Sequence, residues 1–236
     1  MNLMRTPWGV AVDRPAGEPL LIRHIVCVGR NYAKHAKEMG GDRPERPMLF
    51  TKNPAAAALP TDDIVIPKIC QDREQVDYEG ELAVCIGQRC RDIPIENALS
   101  MVLGYSCVND VSARWWQKKG AGGQFCRGKS FDTFCPLGPV VTPASDIPDP
   151  QSLDLTTRLN GEIMQQSSTS LMMFPVAMLI HEISQGTTLL PGTVILTGTP
   201  AGVGAARTPP RFLKSGDTVE VEISGLGVLT NNVTLE

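Results

Sequence analysis

Residues 76–87 read V-D-Y-E-G-E-L-A-V-C-I-G, and the interpretation of the whole chain starts from this stretch. Every second residue from Val76 onward is apolar, aromatic or glycine, whereas Glu79 and Glu81 stand on the opposite side. Such a period of two, bounded by turn residues, predicts a β-strand. Since apolar residues on both sides follow the acidic half, the strand is predicted to run into the interior.

The two glutamates of this strand are predicted to lie side by side, because residues i and i+2 of a strand share a face. Two neighbouring carboxylates repel each other, and burial raises the free-energy cost of their charge further. A divalent cation between Glu79 and Glu81 removes both penalties. A solvated acidic face on an edge strand is the alternative, and the apolar continuation of the strand favours the metal site.

Asp110 is a third acidic candidate, since it follows a predicted strand over 102–108 and precedes a predicted helix over 112–118. Carboxylate oxygens are the hard ligands that Mg²⁺ and Mn²⁺ prefer. An aspartate in this position is also a common helix N-cap. The residue pattern leaves both interpretations of Asp110 open.

A possible acid–base pair lies on a helix predicted over 32–39, with Asn31 as its cap. His35 and Glu38 are spaced i, i+3 and therefore share a helix face. A carboxylate beside an imidazole raises its basicity and selects its tautomer, which suits a general base near neutral pH. An ordinary polar surface pair is the alternative.

Two further segments carry candidate ligand-binding groups. Lys129 lies in a segment predicted to be irregular over 129–141, where it either polarises a substrate oxygen or is a solvated loop lysine. The Gly/Thr loop over 197–204 follows a predicted strand and offers N–H and hydroxyl donors to an anion. Neither this loop nor the region around Gly29 matches a nucleotide-binding fingerprint.

The composition limits the class of protein. The 236 residues carry a net charge of −3, which disfavours nucleic acid and anionic membrane surfaces as partners. No apolar run reaches the roughly 18 residues of a membrane span, and residues 1–9 resemble neither a signal nor a transit peptide. Cys27, Cys85 and Cys107 lie in apolar runs, as reduced cysteines do. A cytoplasmic location is expected, or the mitochondrial matrix for a processed eukaryotic protein.

Strands outnumber helices without a βαβ rhythm, which predicts an α+β fold.

Six motifs in order make the chain resemble the fumarylacetoacetate hydrolase family. They are C-V-G-R-N-Y-A-K-H-A-K-E-M (27–39), D-Y-E-G-E-L-A-V-C-I-G (77–87), G-Y-S-C-V-N-D-V-S-A-R (104–114), G-K-S-F-D-T-F-C-P-L-G-P (128–139), L-N-G-E (159–162) and L-T-G-T-P-A-G-V-G (196–204). The resemblance implies a β-rich α+β roll of mixed sheets and a homodimer. It also implies a catalytic domain over 22–236, preceded by a short N-terminal extension over 1–21.

The resemblance further implies a role for each candidate residue. Mg²⁺ or Mn²⁺ is expected as the cofactor, and the catalytic set includes a dyad on a lid helix that closes over substrate. The implied metal ligands are Glu79, Glu81 and Asp110; the catalytic residues are His35, Glu38 and Lys129; and the substrate-binding residues are Arg30, Arg114, Gln117 and Thr199. One departure is visible: many relatives carry Asp after the A-R of the third motif, where this chain has Trp115 and Trp116. These are interpreted either as packing residues, which is favoured, or as substrate contacts.

The reaction implied by the resemblance has several forms that share a 2-oxo or enol acid as substrate. The leading prediction is hydrolysis of a C–C bond in a small 2,4-dioxo acid of the acylpyruvate type. The alternative is tautomerisation or decarboxylation of oxaloacetate. A catalytically inactive binding protein is a third interpretation, and the complete set of candidate residues argues against it.

Overall fold

Residues 1–42 and 44–236 are described by a computed structural model. In chain order its strands are β1 Leu3–Thr6, β2 Gly9–Val12, β3 Leu20–Leu21, β4 His24–Gly29, β5 Met48–Lys52, β6 Ala57–Ala58, β7 Ile64–Ile66, β8 Val76–Asp77, β9 Gly80–Ile86, β10 Val102–Asn109, β11 Ser112–Ala113, β12 Cys135–Pro143, β13 Asp154–Leu159, β14 Glu162–Ser168, β15 Thr193–Leu196, β16 Thr218–Ile223 and β17 Gly227–Leu235.

The helices are short and fewer than the strands. The α-helices are α1 Ala33–Glu38, α2 Arg114–Gln117, α3 Phe125–Lys129 and α4 Val176–Ser184. Single turns of 3₁₀ helix cover Pro54–Ala56, Lys68–Cys70, Ala144–Asp146, Thr169–Leu171 and Gly204–Ala206, and a longer one covers Ile95–Met101. Among the described residues, no helix combines the length and the hydropathy needed to cross a membrane.

Four sheets organise these strands. The largest has the order β5-β4-β15-β9-β10-β12-β6, and a second has the order β14-β13-β16-β17-β7. Strands β1, β2 and β3 form a third sheet, and β8 pairs with β11. The β15–β4, β12–β6 and β17–β7 pairs are parallel, whereas the other pairs are antiparallel. This arrangement of mixed sheets with few helices confirms the predicted α+β class.

Strand β9 lies at the centre of the largest sheet, between β15 and β10, and all of its residues are buried. Leu82, Val84 and Ile86 point into one apolar cluster with helix α4, and Ala83 and Cys85 point into another with strands β4 and β15. Burial on both faces explains why the second half of the stretch is apolar throughout. The prediction that this stretch enters the interior is correct.

The N-terminal strands pack on the same body. Val10, Val12 and Leu20 share an apolar cluster with Ile25 and Cys27 of β4. The amino group of Met1 donates a hydrogen bond to the carbonyl of Val141, 2.9 Å away. The division at residue 22 stays a prediction.

The stretch over 76–87 is two strands, and the prediction of one continuous strand is wrong. Val76–Asp77 pairs with Ser112–Ala113, whereas Gly80–Ile86 joins the large sheet. At the break, Asp77 accepts a hydrogen bond from the N–H of Tyr78, and Asn109 accepts one from the N–H of Glu79. Side chains therefore satisfy backbone groups that a continuous ladder would have paired.

Three other predicted elements also differ. The side chain of Asn31 does not cap α1, because it donates to the carbonyls of Phe174 and Thr197 and accepts from the N–H of Phe174. Of the helix predicted over 112–118 only Arg114–Gln117 is helical, since the two residues before it pair with β8. The segment over 129–141 is not irregular: Lys129 ends α3, and strand β12 begins at Cys135.

Candidate active site

Three predicted metal ligands come together at one end of the central strands. Each of Glu79, Glu81 and Asp110 is buried, and one carboxylate oxygen of each lies within 4.8 Å of the others. Glu81 lies on β9, Glu79 precedes that strand, and Asp110 follows β10. The antiparallel register pairs Glu81 with Val108, so β10 ends beside the acidic residues.

The N-cap interpretation of Asp110 is wrong, because its carboxylate binds lysines. Lys129 Nζ lies 2.6 Å from Oδ2 of Asp110 and 2.6 Å from Oε2 of Glu79. The other carboxylate oxygen of Asp110 accepts from the buried ammonium of Lys52. Lys129 is itself almost fully buried, so the interpretation as a solvated loop lysine is also wrong.

Arg114 connects the acidic residues to the Gly/Thr loop. Its Nη1 lies 2.6 Å from Oε1 of Glu79, and its Nε donates to Oδ2 of Asp77 at 2.8 Å. Asp77 also accepts from the N–H groups of Gly204 and Ala205, at 2.8 and 2.9 Å. Asp77 therefore fixes the position of Arg114 relative to the loop over 197–204.

The buried charges of the site shift the pKa values of Glu79, Glu81 and Lys129 in different directions. Burial raises the pKa of Glu79, but the charges of Lys129 and Arg114 outweigh it and lower that pKa to about 2. Burial and repulsion from Asp110 and Glu79 raise the pKa of Glu81 well above its usual range. For Lys129 burial opposes the charged form, yet Asp110 and Glu79 dominate and raise its pKa.

The donor set fits a hard divalent cation. Glu81 is the acid with the least compensation: within the described part of the chain its one hydrogen bond is to Oε2 from the N–H of Gly198, at 2.6 Å, and Asp110 and Glu79 repel it. Together with Asp77, the three predicted ligands form an acidic cluster of four carboxylates. This cluster contacts three cations, which are Lys52, Arg114 and Lys129. A surplus of negative charge and oxygen-only ligands are what Mg²⁺ and Mn²⁺ select.

His35 and Glu38 form the predicted dyad on α1. Nδ1 of His35 lies 2.8 Å from Oε1 of Glu38, and the N–H of Gly202 donates to both oxygens of Glu38 at 3.2 and 3.1 Å. In the tautomer in which Nδ1 donates to the carboxylate of Glu38, Nε2 of the neutral imidazole keeps its lone pair. His35 is buried, and the interpretation as an ordinary surface pair is wrong.

A cavity of about 90 Å³ joins these groups. Eight of the ten predicted site residues line it, and the other two, Glu38 and Asp110, bond to residues that do. Its polar wall is formed by Arg30, His35, Glu79, Glu81, Arg114, Gln117, Lys118, Lys129 and Thr199, and its apolar wall by Val28, Gly29, Met39, Met48, Phe50 and Phe125.

Two of the predicted substrate-binding residues are held by the protein itself. Oε1 of Gln117 accepts from Nη1 of Arg114 at 3.1 Å, which leaves its amide hydrogens available to a ligand. The hydroxyl of Thr199 donates to the carbonyl of Gly80 at 3.0 Å and accepts from Nε2 of Gln165 at 2.7 Å. Both side chains are therefore fixed before any ligand binds.

Sequence reasoning missed three polar residues of this site: Lys52, Asp77 and the cavity-lining Lys118. Asp77 lies in the acidic stretch two residues before Glu79, and this i, i+2 spacing could have indicated that it belongs to the site. Lys52 ends the otherwise ordinary strand β5 and carried no signal. Trp115 and Trp116 contact each other edge to face and do not line the cavity, as expected of packing residues.

The chain matches known proteins over most of its length. The family model described as fumarylacetoacetate hydrolase C-terminal matches residues 24–234. The mitochondrial oxaloacetate tautomerase of Bos taurus is 47% identical over 209 residues, which cover 89% of this chain and 66% of that protein. The oxaloacetate tautomerase of Bacillus subtilis is 46% identical over 213 residues, which cover 89% and 69% of the two chains. The chain thus spans about two thirds of the length of these curated relatives.

A solved structure matches from end to end. The fumarylpyruvate hydrolase of Pseudomonas aeruginosa, in complex with Mn²⁺ and pyruvate, superposes with a TM-score of 0.86 at 32% identity, over 99% of each chain. These relatives are named as enzymes, so the prediction that the chain is an enzyme of this family is confirmed. Their names give two different reactions, tautomerisation and hydrolysis. The family match, the identity to the tautomerases and this shared architecture agree with the six motifs: the chain belongs to the fumarylacetoacetate hydrolase family.

Proposed function

We propose that the chain catalyses the keto–enol tautomerisation of oxaloacetate with Mg²⁺ or Mn²⁺ bound. The relatives that match at 46–47% identity are named oxaloacetate tautomerases, which supports the alternative sequence prediction better than the leading one, C–C bond hydrolysis. The structural observation that carries the proposal is His35, which Glu38 holds through Nδ1 on the wall of a small cavity that Lys129 also lines, so that Nε2 can act as a base.

Substrate binding in this proposal uses the polar wall of the cavity. Arg114 and the amide of Gln117 bind the 1-carboxylate, and Asp77 keeps the guanidinium in place from behind. Glu79, Glu81 and Asp110 hold the cation, which supplies Lewis-acid stabilisation of the enolate when it is bound. Pyruvate and Mn²⁺ in the related hydrolase are consistent with such a site.

The proton moves between C3 and the 2-oxo oxygen. Nε2 of His35 accepts the C3 proton, the electron pair of that C–H bond becomes the C2–C3 double bond, and the oxygen becomes anionic. The imidazolium then returns the proton to that oxygen. The ammonium of Lys129, which lies 2.6 Å from Glu79 and from Asp110, stabilises the developing negative charge. Glu38 keeps the tautomer of His35 that leaves Nε2 free.

Hydrolysis of an acylpyruvate is the second candidate, since the Pseudomonas relative is named a fumarylpyruvate hydrolase. The same Nε2 would then deprotonate an attacking water instead of C3. The two reactions differ in whether the base works on carbon or on water.

The deciding experiment follows the ultraviolet absorbance of enol oxaloacetate, and of acetylpyruvate in parallel, with Mn²⁺ present. We expect ketonisation of oxaloacetate well above the uncatalysed rate, and slower or no cleavage of acetylpyruvate. A rate equal to the buffer and Mn²⁺ background for oxaloacetate, with rapid cleavage of acetylpyruvate, would establish the hydrolase instead. The homodimer and the cytoplasmic location stay predictions.

A further inference from the structure

Gln165 is a buried residue outside the cavity whose side chain bonds to two different parts of the site. It lies on strand β14, opposite Thr157 of β13, and only 1% of it is exposed. Its Oε1 accepts from the N–H of Gly80 at 3.0 Å, and its Nε2 donates to Oγ1 of Thr199 at 2.7 Å and to the carbonyl of Pro200 at 2.8 Å. One side chain of the five-stranded sheet therefore reaches both strand β9 of the large sheet and the Gly/Thr loop.

Backbone groups fix the orientation of this amide. The N–H of Gly80 can only donate and the carbonyl of Pro200 can only accept, so Oε1 and Nε2 cannot exchange places without the loss of both bonds. Because Nε2 donates to the hydroxyl of Thr199, that hydroxyl directs its own hydrogen to the carbonyl of Gly80, 3.0 Å away. Gly80, Gln165 and Thr199 thus form a closed ring of hydrogen bonds with one direction.

This ring joins the segments that carry the metal ligands and the dyad contact. Gly80 directly precedes Glu81 in the chain. On the loop side, the N–H of Gly198 donates to Oε2 of Glu81 at 2.6 Å, and the N–H of Gly202 donates to the carboxylate of Glu38. The ring meets the loop between these two glycines. A displacement of the ring therefore moves a loop that contacts both acids.

The five-stranded sheet packs directly on the peptide of Gly80. A Cβ at this position would overlap Oγ1 of Thr157 and lie 3.3 Å from Cγ1 of Val221. Glycine is therefore what permits the amide of Gln165 to reach the backbone. Truncation of that amide leaves the N–H of Gly80 in a crowded, buried place without its acceptor, which is a costly state for a backbone group.

We propose that Gln165 is a positioning residue, which holds the metal-ligand strand and the Gly/Thr loop at the separation that the site requires. Its Oε1 positions the strand of Glu79 and Glu81, and its Nε2 positions the loop, while it touches neither cation nor substrate. The inference rests on the proposed function, because it takes these glutamates as cation ligands and the loop as part of the substrate site.

Two substitutions separate the two halves of the side chain. Gln165→Met has a similar length and removes both hydrogen-bonding halves. Gln165→Glu keeps an oxygen that accepts from the N–H of Gly80 but removes the donor to Pro200. Calorimetry measures the affinity of each protein for Mn²⁺, and then the affinity for oxalate, an unreactive dicarboxylate, at saturating Mn²⁺.

The two variants should give different patterns. Gln165→Met should weaken both Mn²⁺ and oxalate by at least roughly 10-fold, the lower end of the range for residues that hold metal ligands in place. Gln165→Glu should weaken oxalate to a similar extent, while its Mn²⁺ affinity stays at or above the wild-type value, since the bond to Gly80 is kept and a negative charge is added.

Gln166, the exposed neighbour on the same strand, provides the matched controls. Gln166→Met and Gln166→Glu should leave both affinities unchanged, and the second of these tests for a general effect of added charge. Weakened oxalate binding in Gln165→Met, which adds no charge, separates the position of the loop from charge repulsion. Circular dichroism establishes that each variant is folded.

The outcomes separate this inference from the proposed function. Wild-type affinities for Mn²⁺ and oxalate in Gln165→Met overturn the positioning role. Equal losses of both ligands in Gln165→Glu also overturn it, because general loosening of the fold gives that result; this criterion decides alone if Gln165→Met does not fold. The expected pattern, in a protein whose wild type does not tautomerise oxaloacetate, overturns the reaction and leaves the role of Gln165 standing.

Discussion

Nδ1 of His35 lies 2.8 Å from Oε1 of Glu38, and the backbone N–H of Gly202 donates to both oxygens of that carboxylate. The helix that carries the dyad is thereby tied to the Gly/Thr loop after β15. The contact selects the tautomer of His35 and connects two segments that are distant in the chain.

The first prediction concerns this dyad. His35→Ala should lower kcat/KM for oxaloacetate tautomerisation by roughly 10²- to 10⁴-fold, the range for loss of a general base. Glu38→Gln should have a smaller effect in the same direction, because it weakens the selection of the tautomer. Mn²⁺ affinity should stay at the wild-type value in both. His181→Ala is the control, since that half-buried histidine bonds to the carbonyl of Ile93 away from the cavity. Equal rates for His35→Ala and His181→Ala would remove His35 from the mechanism.

The second prediction concerns Glu81 and pH. Its pKa is raised in the folded protein, so between its unfolded and folded pKa the native state binds more protons than the unfolded state. The free energy of unfolding of the metal-free protein therefore falls as pH rises above the ordinary glutamate range. Glu81→Gln has no such charge and should melt at the same or a higher temperature than wild type at pH 8, with a smaller gain at pH 5.

The same substitution should weaken Mn²⁺ binding strongly, because an anionic ligand is lost. Exposed Glu96 provides the control, and Glu96→Gln should change neither melting temperature nor Mn²⁺ affinity. A Glu81→Gln protein that melts well below wild type at pH 8 without metal would contradict the repulsion argument.

The third prediction concerns Lys52, the residue that compensates Asp110 from the side opposite to Lys129. Lys52→Met leaves a buried carboxylate with one cation fewer and should cost about 3 kcal/mol of unfolding free energy, as for other broken buried ion pairs. Added Mn²⁺ should restore more stability in this variant than in wild type, since the site is more negative. Denaturant titrations with and without Mn²⁺ measure both effects, and Lys37→Met on the exposed side of α1 is the control. An unchanged unfolding free energy for Lys52→Met would show that the pair is not needed.

The fourth prediction concerns Asn31, which joins the segment before α1 to Phe174 and Thr197. Asn31→Ala leaves a buried N–H and two buried carbonyls without this partner. We expect a loss of roughly 2 kcal/mol, within the range for unsatisfied buried groups. Exposed Asn232 is the matched control. Hydrogen exchange of α1 should also become faster in Asn31→Ala, and unchanged exchange would argue against its role in holding the helix.

The sequence by itself was enough for the local and the family-level conclusions. The apolar run after Glu81 predicted a buried strand, and both faces of β9 are indeed covered. The i, i+3 spacing predicted the His35–Glu38 contact because such residues are neighbours on any helix. The family resemblance rested on motifs that are local strings of residues. Such features need no knowledge of which distant segments meet.

Only the tertiary structure decided how these parts combine. The break at Tyr78 depends on β8 pairing with β11, and the role of Asp110 depends on the register between β9 and β10. Lys52 was invisible in the sequence, because a lysine at a strand end is normally solvated and becomes a buried partner only where β5 faces Asp110. Long-range pairing, and not local pattern, determines which charges share a site.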